Sequence, residues 1–165
     1  MEYTKTREVK NPMRANAGDA GIDFFVPEYS DKFFADLIEK NTSNKVCITK
    51  HDIIVGPHGK ILIPAGVKVI VPEGNALIAF NKSGIASKFG LDIGACVIDE
   101  GYRGEMHINL LNTSDEEVKI NYGQKITQFL LMPVNNNMPI EITNERYSEH
   151  ENTDRGEGGF GSSGI

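Results

Sequence analysis

The chain has no apolar run approaching the roughly 18 residues that a membrane-spanning helix requires, so no bilayer-crossing segment is expected. Its opening residues, Met1 to Glu8, lack the apolar core of a secretory signal. Cysteine is scarce: Cys47 and Cys96 lie in separate apolar stretches with no partner nearby, which excludes a disulfide framework of the secreted kind. The four histidines, His51, His58, His107 and His150, show no metal-ligand spacing, so a zinc site is not expected either. These shortages predict a cytoplasmic protein with reduced thiols and no membrane partner. Positive charge is also short: 17 Lys and Arg stand against 23 Asp and Glu, a net charge of -6. Phosphate-backbone affinity depends on clustered cations, so stable nucleic-acid binding is not expected, although a small polyanion fits a local basic pocket.

No solenoid-type repeat and no linker divides the 165 residues, a length typical of about one domain. What the chain does have is a succession of short stretches of period two. Val46 and Ile48, Ile53 and Val55, Ile61 and Ile63, then Val67, Val69 and Val71 alternate with other residues. They are broken at Gly56-Pro57, Pro64-Ala-Gly66 and Pro72-Glu-Gly-Asn75. Ala76 to Phe80, Val118 to Ile120 and Gly123 to Pro133 continue the pattern, with an entry strand in residues 1–12 and a last strand through Ile140 and Ile142. Short strands with frequent turns predict an all-β antiparallel barrel or sandwich. One stretch differs. In Ser30 to Asn41, Phe33, Phe34, Leu37 and Ile38 recur at helical spacing behind an N-cap serine and a first-turn aspartate, which predicts a single inserted helix. Ala86 to Phe89 is long enough for one further helical turn.

Leu91 to Glu105 reads as a hairpin: an apolar run from Ile93 to Ile98 delivers Asp99 to the lip of a turn, and Met106, Ile108 and Leu110 resume an alternating strand. Just ahead of it, Lys82-Ser83-Gly84 sets a cation, a hydroxyl and unencumbered amides within three residues at a strand end, the parts needed to hold phosphate oxygens. The last stretch, residues 144–165, carries too little apolar area to fold alone and is expected to be a mobile, glycine-rich tail. Gly156, Gly158 and Gly161 within it satisfy G-x-G-x-x-G, but no strand precedes them and no helix follows, so a dinucleotide fold is excluded. The tail also lacks a Gly-Lys-Ser/Thr sequence, hence a Walker A loop. A flexible clamp on a phosphorylated aromatic ligand suits its arginine, aromatic and hydroxyls better than a dinucleotide does.

Five segments occur together in a telling order: Ala17-Gly-Asp-Ala-Gly-Ile-Asp23-Phe, Lys82-Ser-Gly-Ile-Ala86, Gly94-Ala-Cys-Val-Ile-Asp-Glu-Gly-Tyr-Arg-Gly104, Tyr122-Gly-Gln-Lys-Ile-Thr-Gln128 and the tail Arg155-Gly-Glu-Gly-Gly-Phe-Gly-Ser-Ser-Gly164. In order and approximate spacing the set resembles the five motifs of the trimeric dUTPases, from Asn11 to Gly164. Residues about 29 to 58 exceed what that family usually has between its first two motifs.

The resemblance implies a jelly-roll-like β-barrel, residues 1–143, followed by the tail, residues 144–165. It also implies a homotrimer with sites at the subunit interfaces, and hydrolysis of dUTP to dUMP and pyrophosphate by attack of water on the α-phosphorus. That activity limits uracil incorporation into DNA and supplies dUMP. By motif position, Asp99 would activate the water, and Tyr102 would pack on deoxyribose and exclude a 2′-hydroxyl. The backbone of Cys96, Val97 and Ile98 would pair with uracil. Lys82, Ser83, Gly84 and Gln128 would bind phosphates. Arg155 would grip the γ-phosphate, Phe160 would stack on the base, and Gly161 and Ser162 would complete the lid. Asp23 would reach Mg2+, the implied cofactor, through water, with the ion held mainly by the substrate.

Two departures from the family pattern stand out. Lys82 replaces the usual arginine and loses its bidentate fork, and Cys96 replaces a usual glycine and adds a side chain beside the base. For the inserted helix, packing on the chain's own barrel is the plainer expectation and a surface for a partner protein the sharper one. Two other functions stay open at this point: a dCTP deaminase-like enzyme of the same fold, and a nucleotide-sensing regulator acting through residues 29–58.

Overall fold

The computed structural model describes residues 1–159 and 162, which group into two compact units, Met1–Asn135 and Asn136–Ile165. The first holds strands β1 (Glu2–Lys5), β2 (Ile22–Phe25), β3 (Val46–Ile48), β4 (Asp52–Val55), β5 (Lys60–Pro64) and β6 (Val67–Ile70). It continues with β7 (Asn75–Phe80), β8 (Leu91–Ile93), β9 (Val97–Ile98), β10 (His107–Asn112), β11 (Val118–Asn121) and β12 (Lys125–Pro133). Helix α1 (Asp31–Lys40) lies between β2 and β3, and α2 (Ser83–Phe89) between β7 and β8. The strands form four small sheets, in the orders β1-β6, β5-β10-β8, β11-β4-β3 and β2-β12-β7-β9, and their pairings are antiparallel. The architecture is the expected jelly-roll-like β-barrel with few helices.

Period two does the work of building it. In β6 and β11 buried and exposed residues alternate without exception, and in β10 Ile108, Leu110 and Asn112 face inward. Ile61, Ile63, Val67, Val69, Met106, Ile108 and Leu110 therefore join one core, each buried aliphatic side chain contributing about 1.5–3 kcal/mol of transfer free energy.

Helix α1 begins where the sequence indicates: the Ser30 hydroxyl accepts from the Phe33 N–H at 3.1 Å. Phe33 and Leu37 are fully buried in the barrel core, whereas Ile38 stays exposed and Phe34 is half-buried beside Tyr29. The apolar stripe is thus narrower than its four-residue pattern suggests. Asn41, just past the helix, behaves like a strand partner of Leu62. Its amide donates to the Leu62 carbonyl at 2.9 Å and its carbonyl accepts from the Leu62 N–H at 2.8 Å, tying the insertion to β5.

Several local expectations are corrected. Residues 91–105 do not form one hairpin strand: β8 pairs with β10, then the chain breaks at Gly94-Ala95-Cys96 and crosses so that β9 pairs with β7 in a different sheet. An apolar run whose length suits a strand has been split because each half finds its ladder in a different layer. The entry strand is only β1, and α2 begins at Ser83 rather than Ala86. Ile140 and Ile142 make no strand; Ile140 is 84% exposed, with no ladder partner to bury it. The second unit instead contains a short helix, α3 (Asn144–Ser148), capped by the Thr143 hydroxyl accepting from Arg146 N–H.

Candidate active site

Strand β2 is the first wall of the candidate site. Asp23 and Phe25 share one of its faces, and Asp23 lies directly opposite Gln128 of β12. Lys125 stands three residues from Gln128, so a regular ladder would place it on the other face. A β-bulge at Ile126 changes this: Lys125 pairs with Phe25 and Thr127 with Phe24, which returns Lys125 to the face of Asp23. Its ammonium reaches Asp23 Oδ2 at 2.9 Å, while Lys82 Nζ bonds Asp23 Oδ1. Asp23 is 4% exposed. Burial alone would raise its pKa, but the two lysines outweigh that and hold the carboxyl below its usual range.

Gln128 lies flat over Gly21, where an added Cβ would fall 2.2 Å from its Oε1, so only glycine allows this approach. Its amide donates to the Asn81 carbonyl at 2.8 Å. The Asn81 side chain fixes β8, donating to Asp92 Oδ1 at 2.7 Å and accepting from Ile93 N–H at 2.8 Å. Lys82 then caps α2 with extended backbone, and Ser83 and Gly84 form its exposed first turn, whose N–H groups have no carbonyl a turn earlier to bond. Asp23, Lys82, Cys96 and Gln128 all line one cleft of about 650 Å³, together with Asp19, Gly21, Asn81 and Gly94.

Strand β9, which follows the cleft-lining Cys96, is the edge strand of its sheet. The Cys96 carbonyl accepts from Ala79 N–H at 2.7 Å, and Leu77 pairs with Ile98. Alternation of the ladder therefore turns the N–H and C=O of Val97, not those of Cys96 or Ile98, toward the open edge. Asn109 of β10 sets this bend. Its Oδ1 accepts from Ala95 N–H at 3.1 Å and lies where a Cβ on Gly94 would be, only 1.9 Å away. Asn109 carried no signal in the sequence beyond its place in an alternating strand. Cys96 is half-buried, and its backbone is not among the positive-φ residues, so replacing a glycine there brings no such strain.

Asp99 and Tyr102 follow β9 in an exposed turn closed by Tyr102 N–H donating to the Asp99 carbonyl at 3.1 Å. Neither lines the cleft of Lys82 and Gln128. The Tyr102 hydroxyl donates to the Glu105 carbonyl at 2.7 Å. Glu105 in turn is clamped by Arg7, with Nε to Oε1 at 2.9 Å and Nη2 to Oε2 at 2.7 Å, and accepts from Gly66 N–H at 2.9 Å. Burial pushes the Glu105 carboxyl up, but Arg7, the Thr6 side chain and Gly66 leave it below its ordinary value. Arg7 also reaches Asp36 of α1 at 3.0 Å and lies over the Phe33 ring, 5.2 Å from its centroid. The turn bearing Tyr102 is therefore braced by the inserted helix through Arg7, a link the motifs do not reveal.

In the second unit, Arg155 and Gly158 close a tight loop, Arg155 Nε donating to the Gly158 carbonyl at 2.8 Å and Gly158 N–H to the Arg155 carbonyl at 3.0 Å. Ser162 is exposed, and Phe160 and Gly161 lie outside the described residues. Among the described residues no group of three or more His, Cys, Asp or Glu is placed to hold a metal ion, and both oxygens of Asp23 are engaged by ammonium groups. The donor set thus fits only an ion that comes with its own phosphate ligands and meets Asp23 through water.

A family model described as dUTPase matches residues 46–164. The chain belongs to the dUTPase family. A deoxyuridine 5'-triphosphate nucleotidohydrolase of a Mycobacterium species is 32% identical over 161 residues, covering 96% of this chain and 90% of the relative. One from Dictyostelium discoideum, a mitochondrial protein, is 35% identical over 143 residues, 86% and 77% of the two chains. In fold the chain resembles the Staphylococcus bacteriophage 80alpha dUTPase solved as a G164S mutant with dUpNHpp, with a TM-score of 0.74 and 22% identity, covering 99% of this chain and 98% of that one. No helix among the described residues is long and apolar enough to cross a membrane.

Proposed function

We propose that the chain hydrolyses dUTP to dUMP and pyrophosphate at a site built by three copies of itself. The observation that carries this reading is the placement of Val97, Asp99 and Tyr102 along one edge strand and its turn, with the Asp23, Lys82 and Gln128 cleft on the same sheet. The open N–H and C=O of Val97 match the complementary edge of uracil. Cytosine presents a donor where uracil presents an acceptor, and each buried mismatch costs about 1–3 kcal/mol. Tyr102, held by its hydroxyl to the Glu105 carbonyl, offers its ring to the sugar and leaves no space for a 2′-hydroxyl.

Lys82, the first-turn amides of Ser83 and Gly84, and Gln128 take the phosphates, with Arg155 on the γ-phosphate and Phe160, Gly161 and Ser162 closing over the base. Asp23 would hold Mg2+ through water, and the ion, bound mainly by the triphosphate, would supply charge neutralisation to its oxygens. Asp99 orients a water and takes up its proton as the oxygen attacks the α-phosphorus. The bond from that phosphorus to the bridging oxygen breaks, and pyrophosphate leaves with the electron pair. A positioned base of this type contributes of the order of 10² to 10⁴ in rate. That Asp99 and Tyr102 stand apart from the cleft of their own chain supports completion of the site by another copy. The test is Asp99→Asn: dUpNHpp binding within about threefold of the parent with turnover lost is expected, and near-parental turnover would overturn the assignment.

A further inference from the structure

Lys125 belongs to the fourth motif, yet the function above leaves it without a role. The cleft lining carries two carboxylates, Asp19 and Asp23, against one ammonium, Lys82. A triphosphate meeting that lining alone would face net negative charge, and Lys82, already on Asp23 Oδ1, would divide its charge between two anions. Arg14 stands nearby with its Nη1 on the Asp19 and Ala20 backbone carbonyls, and the two ammonium groups on Asp23 are those of Lys82 and Lys125. Lys125 is not part of the lining; it reaches the other oxygen of Asp23 from outside, at 2.9 Å, from a side chain 40% exposed. The bulge at Ile126 is what brings it there.

We infer that Lys125 is a positioning residue for phosphate binding: it neutralises buried Asp23 from behind the cleft wall, so that the charge of Lys82 is left over for the substrate. The inference rests on the reading of Lys82 as a phosphate-site cation. Without Lys125, Asp23 keeps Lys82 as its only counterion, and phosphate must compete for it. The effect is confined to the phosphate-bearing part of the ligand, since uracil and sugar are read on β9 and its turn. It also disappears once Asp23 has no charge to be held.

The experiment measures binding of dUpNHpp and of deoxyuridine to Lys125→Met, Lys125→Arg, Asp23→Asn, Lys125→Met/Asp23→Asn and Lys82→Met, with kcat and KM for dUTP alongside. Lys125→Met is expected to weaken dUpNHpp about tenfold, to raise KM with kcat within about twofold, and to leave deoxyuridine unchanged. Lys125→Arg should rescue to within about threefold, and the double variant should bind dUpNHpp as Asp23→Asn alone does. Equal weakening of both ligands by Lys125→Met would make the residue merely structural, and no weakening would make it idle. Failure of Asp23→Asn to cancel the loss would also refute the inference. If Lys82→Met itself leaves dUpNHpp binding intact, the phosphate-site reading falls instead, so the two failures are separable.

Discussion

Replacing Arg7 by Met removes the guanidinium that binds Glu105 in two parallel bonds, contacts Asp36 and covers the Phe33 ring. The Arg7 and Glu105 side chains are 12% and 17% exposed, so the pair is largely desolvated and Glu105 would be left buried with the Thr6 side chain and the Gly66 N–H to satisfy it. Breaking one partner of a buried pair costs about 3–5 kcal/mol, and the hydrogen bonds that survive from Thr6 and Gly66 place Arg7→Met near the lower end, about 3 kcal/mol. For a chain of this length that corresponds to a fall in Tm of roughly 6–12 °C.

The pH dependence has a definite sign. The Glu105 carboxyl is held below its ordinary value of 4.5 in the folded chain, so its stabilisation is present above about that pH and is lost as pH falls through the lower folded value. Urea unfolding of parent and variant should therefore differ most at neutral pH and converge below about pH 4.5. Adding Glu105→Gln to Arg7→Met removes the stranded charge and should recover much of the loss. A difference under 0.5 kcal/mol at neutral pH, on the order of a surface substitution, would refute the reasoning, as would a gap that widens in acid.

Two further outcomes are expected. Tyr102→Ala should admit UTP as a substrate, measured as the ratio of kcat/KM for dUTP to that for UTP; an unchanged ratio would remove Tyr102 from sugar selection. Deleting residues 155–165 should cost most of the turnover while leaving the assembly state seen by light scattering unchanged, and full activity of the shortened chain would show that the tail takes no part.

Much of the barrel could be read in the sequence because a strand with one buried face must alternate, and β6, β10 and β11 do. The α1 boundaries were legible for a local reason as well: Ser30 satisfies an orphan N–H wherever that helix packs. The break at Gly94-Ala95-Cys96 was not legible, since apolar residues on both sides suit a strand equally and only the long-range partners, β10 and β7, decide where each belongs. Ile140 and Ile142 mislead for the converse reason, an alternating pattern with no ladder beside it. In the candidate site, the motifs name Asp23, Lys82 and Gln128, but the roles of Asn81, Asn109, Arg7 and Lys125 depend on pairings across 11 to 102 positions of chain or on a bulge. A one-residue bulge reverses the face of Lys125 and leaves no compositional trace.

The central claim is that the edge backbone at Val97 and the carboxylate of Asp99 serve one uracil deoxynucleotide. Pyrophosphate release measured in parallel on dUTP, UTP, dCTP and dTTP, for the parent and for Asp99→Asn, tests it most directly. Rapid release from dUTP alone, abolished by the substitution, is expected. Ammonia released from dCTP, or pyrophosphate from dUTP that survives the loss of Asp99, would contradict it.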